Sequence, residues 1–260
     1  MQAEGGAIVR LFYTNLIDAS TVAISETSEV STLPSSNVAH ELRGKVWRTG
    51  TSVALEAVVF DLGSAKAVTA CIILDHTLTS GDSLIKIQGN TADSWGAPAF
   101  SQTLTYAADI IAAVFASQTY RYWRFTFTKS AAGQSRDIGR IFLGTYYETE
   151  EAPDYDGLDI TENDLSRSQM SIGGQEYTEL LDGWRTIRCD FTHISQTMKD
   201  NLTTYARSVK QSVAHFLQVG TSSPFDAIYY VKLKNAPKFA IKAMDSSAVW
   251  DTSLDYKEQL

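Results

Sequence analysis

Cysteine is scarce in this chain of 260 residues. Cys71 and Cys189 lie far apart in apolar contexts, which excludes a disulfide framework and leaves stability to packing. A cationic excess is missing too: 22 Lys and Arg against 30 Asp and Glu give a net charge of −8, so the chain is not a basic nucleic-acid binder. The opening MQAEGGAIVRLFY has neither the basic stretch nor the apolar core of a secretory signal, so synthesis in a cytoplasm is expected. No run reaches the roughly 18 to 20 apolar residues of a spanning helix, since even Ala65 to Leu74 is broken by Lys66 and Thr69; no membrane insertion is expected.

Catalytic signatures are equally thin. The four histidines show no HxH, HExxH or Hx3H spacing, so no metal centre is expected; His193 and His215 read as structural residues. Cys71 sits in AVTACIILD, a run suited to a buried strand, where a thiol behaves as a small hydrophobe. There is no GxSxG elbow, Walker loop or GxGxxG, and Gly173-Gly174 precedes Gln-Glu with no helix start to cradle phosphate. Of the many carboxylates only Glu56 and Asp61 stand among apolar neighbours, and both have plain readings: Glu56 pointing outward from an alternating strand, Asp61 bonding a turn. The chain is expected to be neither an enzyme nor a cofactor carrier.

What is present is apolar material, 44% of residues with 11% aromatic, enough to bury roughly 70% of the unfolded surface in one large or two medium domains. Its periodicity is mostly that of strands. In RYWRFTFT, Trp123, Phe125 and Phe127 share one face and Tyr122, Arg124 and Thr126 the other, the pattern of a half-buried antiparallel strand. Ala7–Tyr13, Ala54–Leu62, Val68–Asp75, Ser83–Gly89, Ala99–Leu104 and Ile138–Glu148 read as further strands between turn residues, and with no crossover helices they predict a β-sandwich. Ala107–Ala116 reads either as a short helix or as a loop laying Ile110, Ile111 and Phe115 across an open end of the sandwich.

Residues 148–164 hold eight acidic residues and no Lys or Arg, so a solvated linker is expected at 149–165 between domains at 1–148 and 166–260. Without those eight, the rest balances at 22 against 22. DYDGLD within the segment is a poor calcium loop: its glycine is fourth rather than sixth, and Leu165 stands where a Glu is needed. Beyond it, Trp184–His193 alternates with Ile187, Cys189 and Phe191 on one face. Ser195 then caps a helix over about 195–212 whose stripe is Met198, Leu202, Tyr205, Ala206 and Val209. Strands resume at Ala214–Val219, Ala227–Leu233, Lys238–Met244 and Val249–Tyr256, giving a smaller β-rich domain with one helix.

The ordered set VWRTG (46–50), ALEAVVFDLGSAKAVTACIILDH (54–76), SLIKIQGNTADSW (83–95), YRYWRFTFT (120–128) and DIGRIFLGTYYE (137–148) resembles the discoidin, or factor 5/8 type C, family over roughly residues 35–148. That resemblance implies a galactose-binding-like jelly roll and a carbohydrate-binding role, whose site the loops around Ser36, Thr79–Asp82 and Thr91–Gly96 would form; Trp47 and Trp95 read either as packing residues or, since aromatics stack on sugar faces, as the candidate ligand-binding aromatics. The cysteine pair tying the ends of many extracellular members is absent.

The second half, with SRSQMSIGG, DGWRTIRCDFTHIS, HFLQVG, IYYVKLK and WDTSLDYKEQL, looks like the β-rich domains of tailed-bacteriophage minor tail proteins. The whole chain then resembles a structural virion protein located in the tail. Its implied partners are other tail proteins and further copies of itself in a ring, trimer or hexamer, meeting through strand edges, the linker and aromatics such as Tyr146, Tyr147, Tyr229 and Tyr230, although alternation alone would bury some of these. The alternative reading is a carbohydrate-binding module recognising host cell-surface glycans.

Overall fold

Alternation of apolar and polar residues builds nearly every element of the computed structural model, which describes residues 8–131, 133–220, 227–243 and 248–260. The expected strand ends at Ala7 and Met244 lie outside the described residues. The chain divides at Tyr13 and Glu148. Thr14–Tyr147 form one unit, while β1 (Val9–Asn15), up to Tyr13, joins Glu148–Leu260 in the other. The fold is mainly β, as its composition implies, with a second β-rich body carrying one α-helix among the described residues.

The Thr14–Tyr147 unit contains β2 (Ala23–Glu26), β3 (Trp47–Arg48), β4 (Leu55–Leu74), β5 (Ser83–Asn90), β6 (Phe100–Thr103), β7 (Ile110–Thr128), β8 (Asp137–Ile138) and β9 (Ile141–Glu148). Its frame is the antiparallel pair β4 and β7. Register runs from Leu55↔Thr128 to Asp61↔Tyr122, shifts, and resumes from Lys66↔Tyr120 to Leu74↔Ile110. The first half of β4 also pairs with β2, and the partnering half of β7 with β5, which pairs in turn with β6. The second half of β4 pairs with β9.

Each long strand thus serves two layers. Inward residues from both halves, Val58 and Phe60 with Cys71 and Ile73, meet Ile87, Ile111, Trp123, Phe125, Ile141 and Leu143 in one core. Where two strands are expected, the structure makes one: Leu62-Gly63 does not end a strand but bends it, with Gly63 at φ 73° and its N–H bonded to Asp61 Oδ1 at 2.8 Å. The ambiguous Ala107–Ala116 is strand from Ile110 onward, because alternate residues Ile111, Ala113 and Phe115 turn toward the core.

Glu56 corrects another expectation. It is wholly buried, ion-paired to the equally buried Lys129 Nζ at 2.8 Å and bonded by Ser28 Oγ. Lys129 Nζ also donates to Gly50 O at 2.6 Å, and Gly50 N to Ser28 Oγ at 2.9 Å, so no member of the group lacks a partner.

The other unit adds β10 (Leu158–Asn163), β11 (Arg167–Met170), β12 (Glu176–Glu179), β13 (Trp184–Ile194), α1 (Gln196–Val209), β14 (His215–Val219), β15 (Ile228–Leu233), β16 (Phe239–Ala243) and β17 (Val249–Glu258). The sheet runs β10, β13, β17, β15, β14, β1, with β16 also on β17. Ile187, Cys189 and Phe191 are buried as their alternation requires. The helix is capped by Ser195, whose Oγ accepts from Met198 N at 3.0 Å, and buries Met198, Leu202, Tyr205 and Val209.

Residues 149–165 are not a free linker. Asp154 N donates to Asp190 O and Asp190 N to Gly157 O, after which β10 zips onto β13 with Asp159 opposite Arg188 and Glu162 opposite Arg185. Acidic residues are tolerated in this strand because the neighbouring strand places arginines across from them. Tyr229 and Tyr230, expected at an interface, are buried within this sheet, with Tyr230 tilted against Phe216 at 4.9 Å.

Candidate functional site

The candidate aromatics separate sharply. Trp47 is wholly buried, its Nε1 donating to Ser28 O at 3.0 Å and its ring edge-on to Phe127 at 6.5 Å. It is a core residue, because β3 turns it inward as β8 pairs Ile138 with it, and no face remains for a ligand. Trp95 is half-exposed in the turn between β5 and β6; Asp93 accepts from its Nε1 at 2.7 Å and the Arg124 guanidinium lies 4.6 Å over its ring. Gln88 Oε1 in turn fixes Arg124. One ring face is therefore already occupied by a cation.

The expected site loops do not converge. Thr79–Asp82 precedes the Ser83 end of β5 and Thr91–Gly96 follows the Asn90 end, with about 23 Å of extended strand between them. Within Thr79–Asp82 the first three residues are exposed, while the Asp82 carboxylate is turned inward. Asp82 accepts from Thr79 N (2.7 Å), Ser130 N (2.7 Å), and Arg136 Nε (2.8 Å) and Nη2 (3.0 Å). Burial alone would raise its pKa, but Arg136 and the two backbone donors outweigh it and hold the carboxyl down at about 2.

A different set gathers where Leu74, Ile110 and Ile141 leave the sheet, next to the β3–β8 ribbon. Asp75 ends β4 in the left-handed region at φ 57°, a conformation Asp tolerates better than most residues. Gly139 N donates to Asp75 O, and a Cβ at Gly139 would fall 2.6 Å from Leu74 O and 2.8 Å from Asp75 Cβ, so glycine is needed for this close approach. Asp75 is gripped in fork geometry by Arg43, Nε to Oδ2 at 2.7 Å and Nη2 to Oδ1 at 2.5 Å. Asp137 is held likewise by Arg48 at 2.6 and 2.7 Å, and exchanges backbone and side-chain bonds with Thr77.

Between these pairs in sequence and register sits His76, bridged to Ile138, its ring edge-on to Tyr106 at 6.2 Å. Both ring nitrogens are buried and neither makes a hydrogen bond of good geometry, the Ala107 backbone lying nearby. Burial lowers the imidazole pKa below its ordinary value, while the nearby Ala107 backbone and the charges of Asp109 and Asp75 pull the other way. A neutral imidazole offers one donor and one acceptor. Its nitrogens face inward, so what His76 presents outward, with the adjacent tyrosine, is ring surface. His76 escapes motif reading because its partner Tyr106 is brought near only by the β4–β7 pairing; the local signal is its place immediately after a buried run.

No family model matches the chain, and no curated protein matches it. Among solved structures, chitosan-binding module 1 of a chitosanase/glucanase from Paenibacillus sp. IK-5 is 17% identical over 51% of this chain and 100% of its own, with a TM-score of 0.42. A Streptococcus pneumoniae fucose-binding module is 15% identical over 52% and 99%, also at 0.42. A Ruminococcus gnavus GH29 fucosidase is 15% identical over 53% of this chain and 27% of the enzyme, at 0.41. At these values the functional reading rests on the side chains described above.

Proposed function

We propose that the Thr14–Tyr147 unit is a carbohydrate-binding module whose glycan seats over His76 and Tyr106, beside the Arg43–Asp75 and Arg48–Asp137 pairs. The observation that carries this is the half-exposed imidazole of His76 edge-on to the half-exposed Tyr106 ring, beside two arginine–carboxylate forks. The C–H face of a pyranose packs on such rings while its hydroxyls meet the partly exposed Arg43 and Arg48 guanidiniums, the usual mixture of an apolar wall and few polar groups. The two arginines are pre-oriented by bidentate carboxylates, so little entropy is lost on binding.

Glu56 and Asp82 are locked in ion pairs, and burial pushes the Cys71 and Cys189 thiols up to about 12, so these four groups stand outside the proposed site.

The test is a glycan array probed with the full chain and carrying fucosylated and chito-oligosaccharide ligands, the two classes named for the similar modules. Saturable binding is expected, weakened at least about tenfold by His76→Ala and by Tyr106→Ala, in line with the loss of ring contact, and kept in Trp95→Ala. No binding, or binding indifferent to His76, overturns the proposal.

A structural role in a phage tail is a second reading, supported by one observation besides the sequence resemblance. The β11–β12 hairpin pairs only with itself and exposes Met170, Ile172, Tyr177 and Leu180. A two-stranded ribbon is marginal alone in water, which suits an arm completed by another tail protein or another copy. Light scattering on the purified chain tests it: a ring, trimer or hexamer that falls to monomers on replacing Met170, Ile172 and Tyr177 by Ser is expected, and a strict monomer at high concentration speaks against self-assembly.

A further inference from the structure

A cleft of about 820 Å³ lies along α1, bounded across from the helix by Leu233, Ala236, Pro237 and Phe239. Helix residues Lys199, Thr203, Ala206, Arg207 and Lys210 face it, at the spacing of one helical stripe, and it extends over Gln211 and Ser212. The volume is that of a small-molecule site.

Its charge is uneven. At one end Lys199 is already engaged, by Asp200 at 3.1 Å and over the Trp250 ring at 5.2 Å. At the other end Arg207 and Lys210 pair with no carboxylate among the described residues, and both are exposed. Lys210 closes the helix at φ 51° and ψ −142°, a backbone position that glycine fills without strain. A lysine held there, beside an arginine one turn back, concentrates positive charge in a protein of net charge −8. Leading away from these two cations the wall is apolar.

We infer that this cleft binds a small amphiphilic anion, a molecule with one carboxylate head and an unbranched or cyclic hydrocarbon body. The head pairs with Arg207 and Lys210 and the body lies along Ala206, Leu233, Pro237 and Phe239. An acidic peptide would need free cations at both ends of the groove, and Lys199 is taken. This site belongs to the β1 and Glu148–Leu260 unit and is independent of the glycan reading.

Calorimetric titration of the full chain with decanoate, decanol, acetate and an acidic pentapeptide tests the assignment. Decanoate is expected to bind one to one, at least about tenfold more tightly than decanol or acetate, and to weaken about tenfold in Arg207→Gln and in Lys210→Gln, the loss typical of a charge-assisted hydrogen bond. Both side chains are exposed, so these variants fold. Ala236→Trp, also at an exposed position, fills the floor and abolishes binding. Equal affinity for decanol, unchanged affinity in the Gln or Trp variants, preference for the peptide, or no binding by decanoate each overturns it.

Discussion

His215 shows how one side chain ties the fold to pH. It is wholly enclosed, receiving or donating a 2.6 Å bond with Tyr205 Oη and contacting Val213 O at 3.2 Å, and burial pulls its pKa down to about 4. In the unfolded chain a histidine takes up its proton near pH 6.5. Between these values the unfolded state binds more protons, so stability is complete above about pH 6.5 and is lost as pH falls toward 4, by on the order of 3 kcal/mol. Denaturant titrations of the β1 and Glu148–Leu260 unit at pH 7.5 and 4.5 check the slope, which should flatten in His215→Gln. Glu56 and Lys129 give a second residue-scale outcome. Lys129→Met leaves a carboxylate buried without a cation and is expected to destabilise the Thr14–Tyr147 unit by about 3–5 kcal/mol, while adding Glu56→Leu recovers most of that; chemical denaturation of the single and double variants measures both. At this scale the sequence was least legible. Residue type told neither that Trp47 would be enclosed while Trp95 stayed half-exposed, nor that Glu56 would find a lysine 73 positions away.

Elements with a strong local period were legible. The α1 stripe and its cap could be read directly because capping and helical spacing are properties of neighbouring residues. Ser195→Ala removes the acceptor for Met198 N and the bond from Ser195 Oγ to Glu150, and is expected to cost about 1 kcal/mol; the midpoint shift in a denaturant titration checks it. The long strands were harder. Gly63 and the polar run Ser117 to Thr119 look like breaks, yet β4 and β7 pass through both because each strand supports the other across the register shift. Likewise β10 is acidic by composition and a strand by partnership: what stabilises Asp159 and Glu162 is Arg188 and Arg185, some 25 residues on. The candidate site suffered from the same cause, since its loops were grouped by family resemblance while the length of β5 keeps Thr91–Gly96 away from Thr79–Asp82.

For the whole molecule, the count of two bodies is visible in the composition change after residue 148, but their membership is not. β1 belongs with the later half, pairing Val9↔Val219 through Phe12↔Phe216 on β14, with Arg10 ion-paired to Glu148 at 2.5 Å and Thr149 N bonded to Val9 O. A fragment of residues 148–260 therefore presents β14 with an open edge. It is expected to be poorly soluble and to melt lower than the corresponding body in the full chain, and a synthetic peptide of residues 8–15 should raise its melting temperature, as scanning calorimetry would show. That placement also sets a timetable. A ribosome delivers β1 first, yet β14 emerges only some 200 residues later, after all of Thr14–Tyr147. At synthesis rates of roughly 5–20 residues per second β1 waits ten seconds or more, long enough for the intervening body to fold. The clasp of Arg10 on Glu148 then turns a 137-residue excursion into a short return, so the later sheet closes around a strand that was waiting for it.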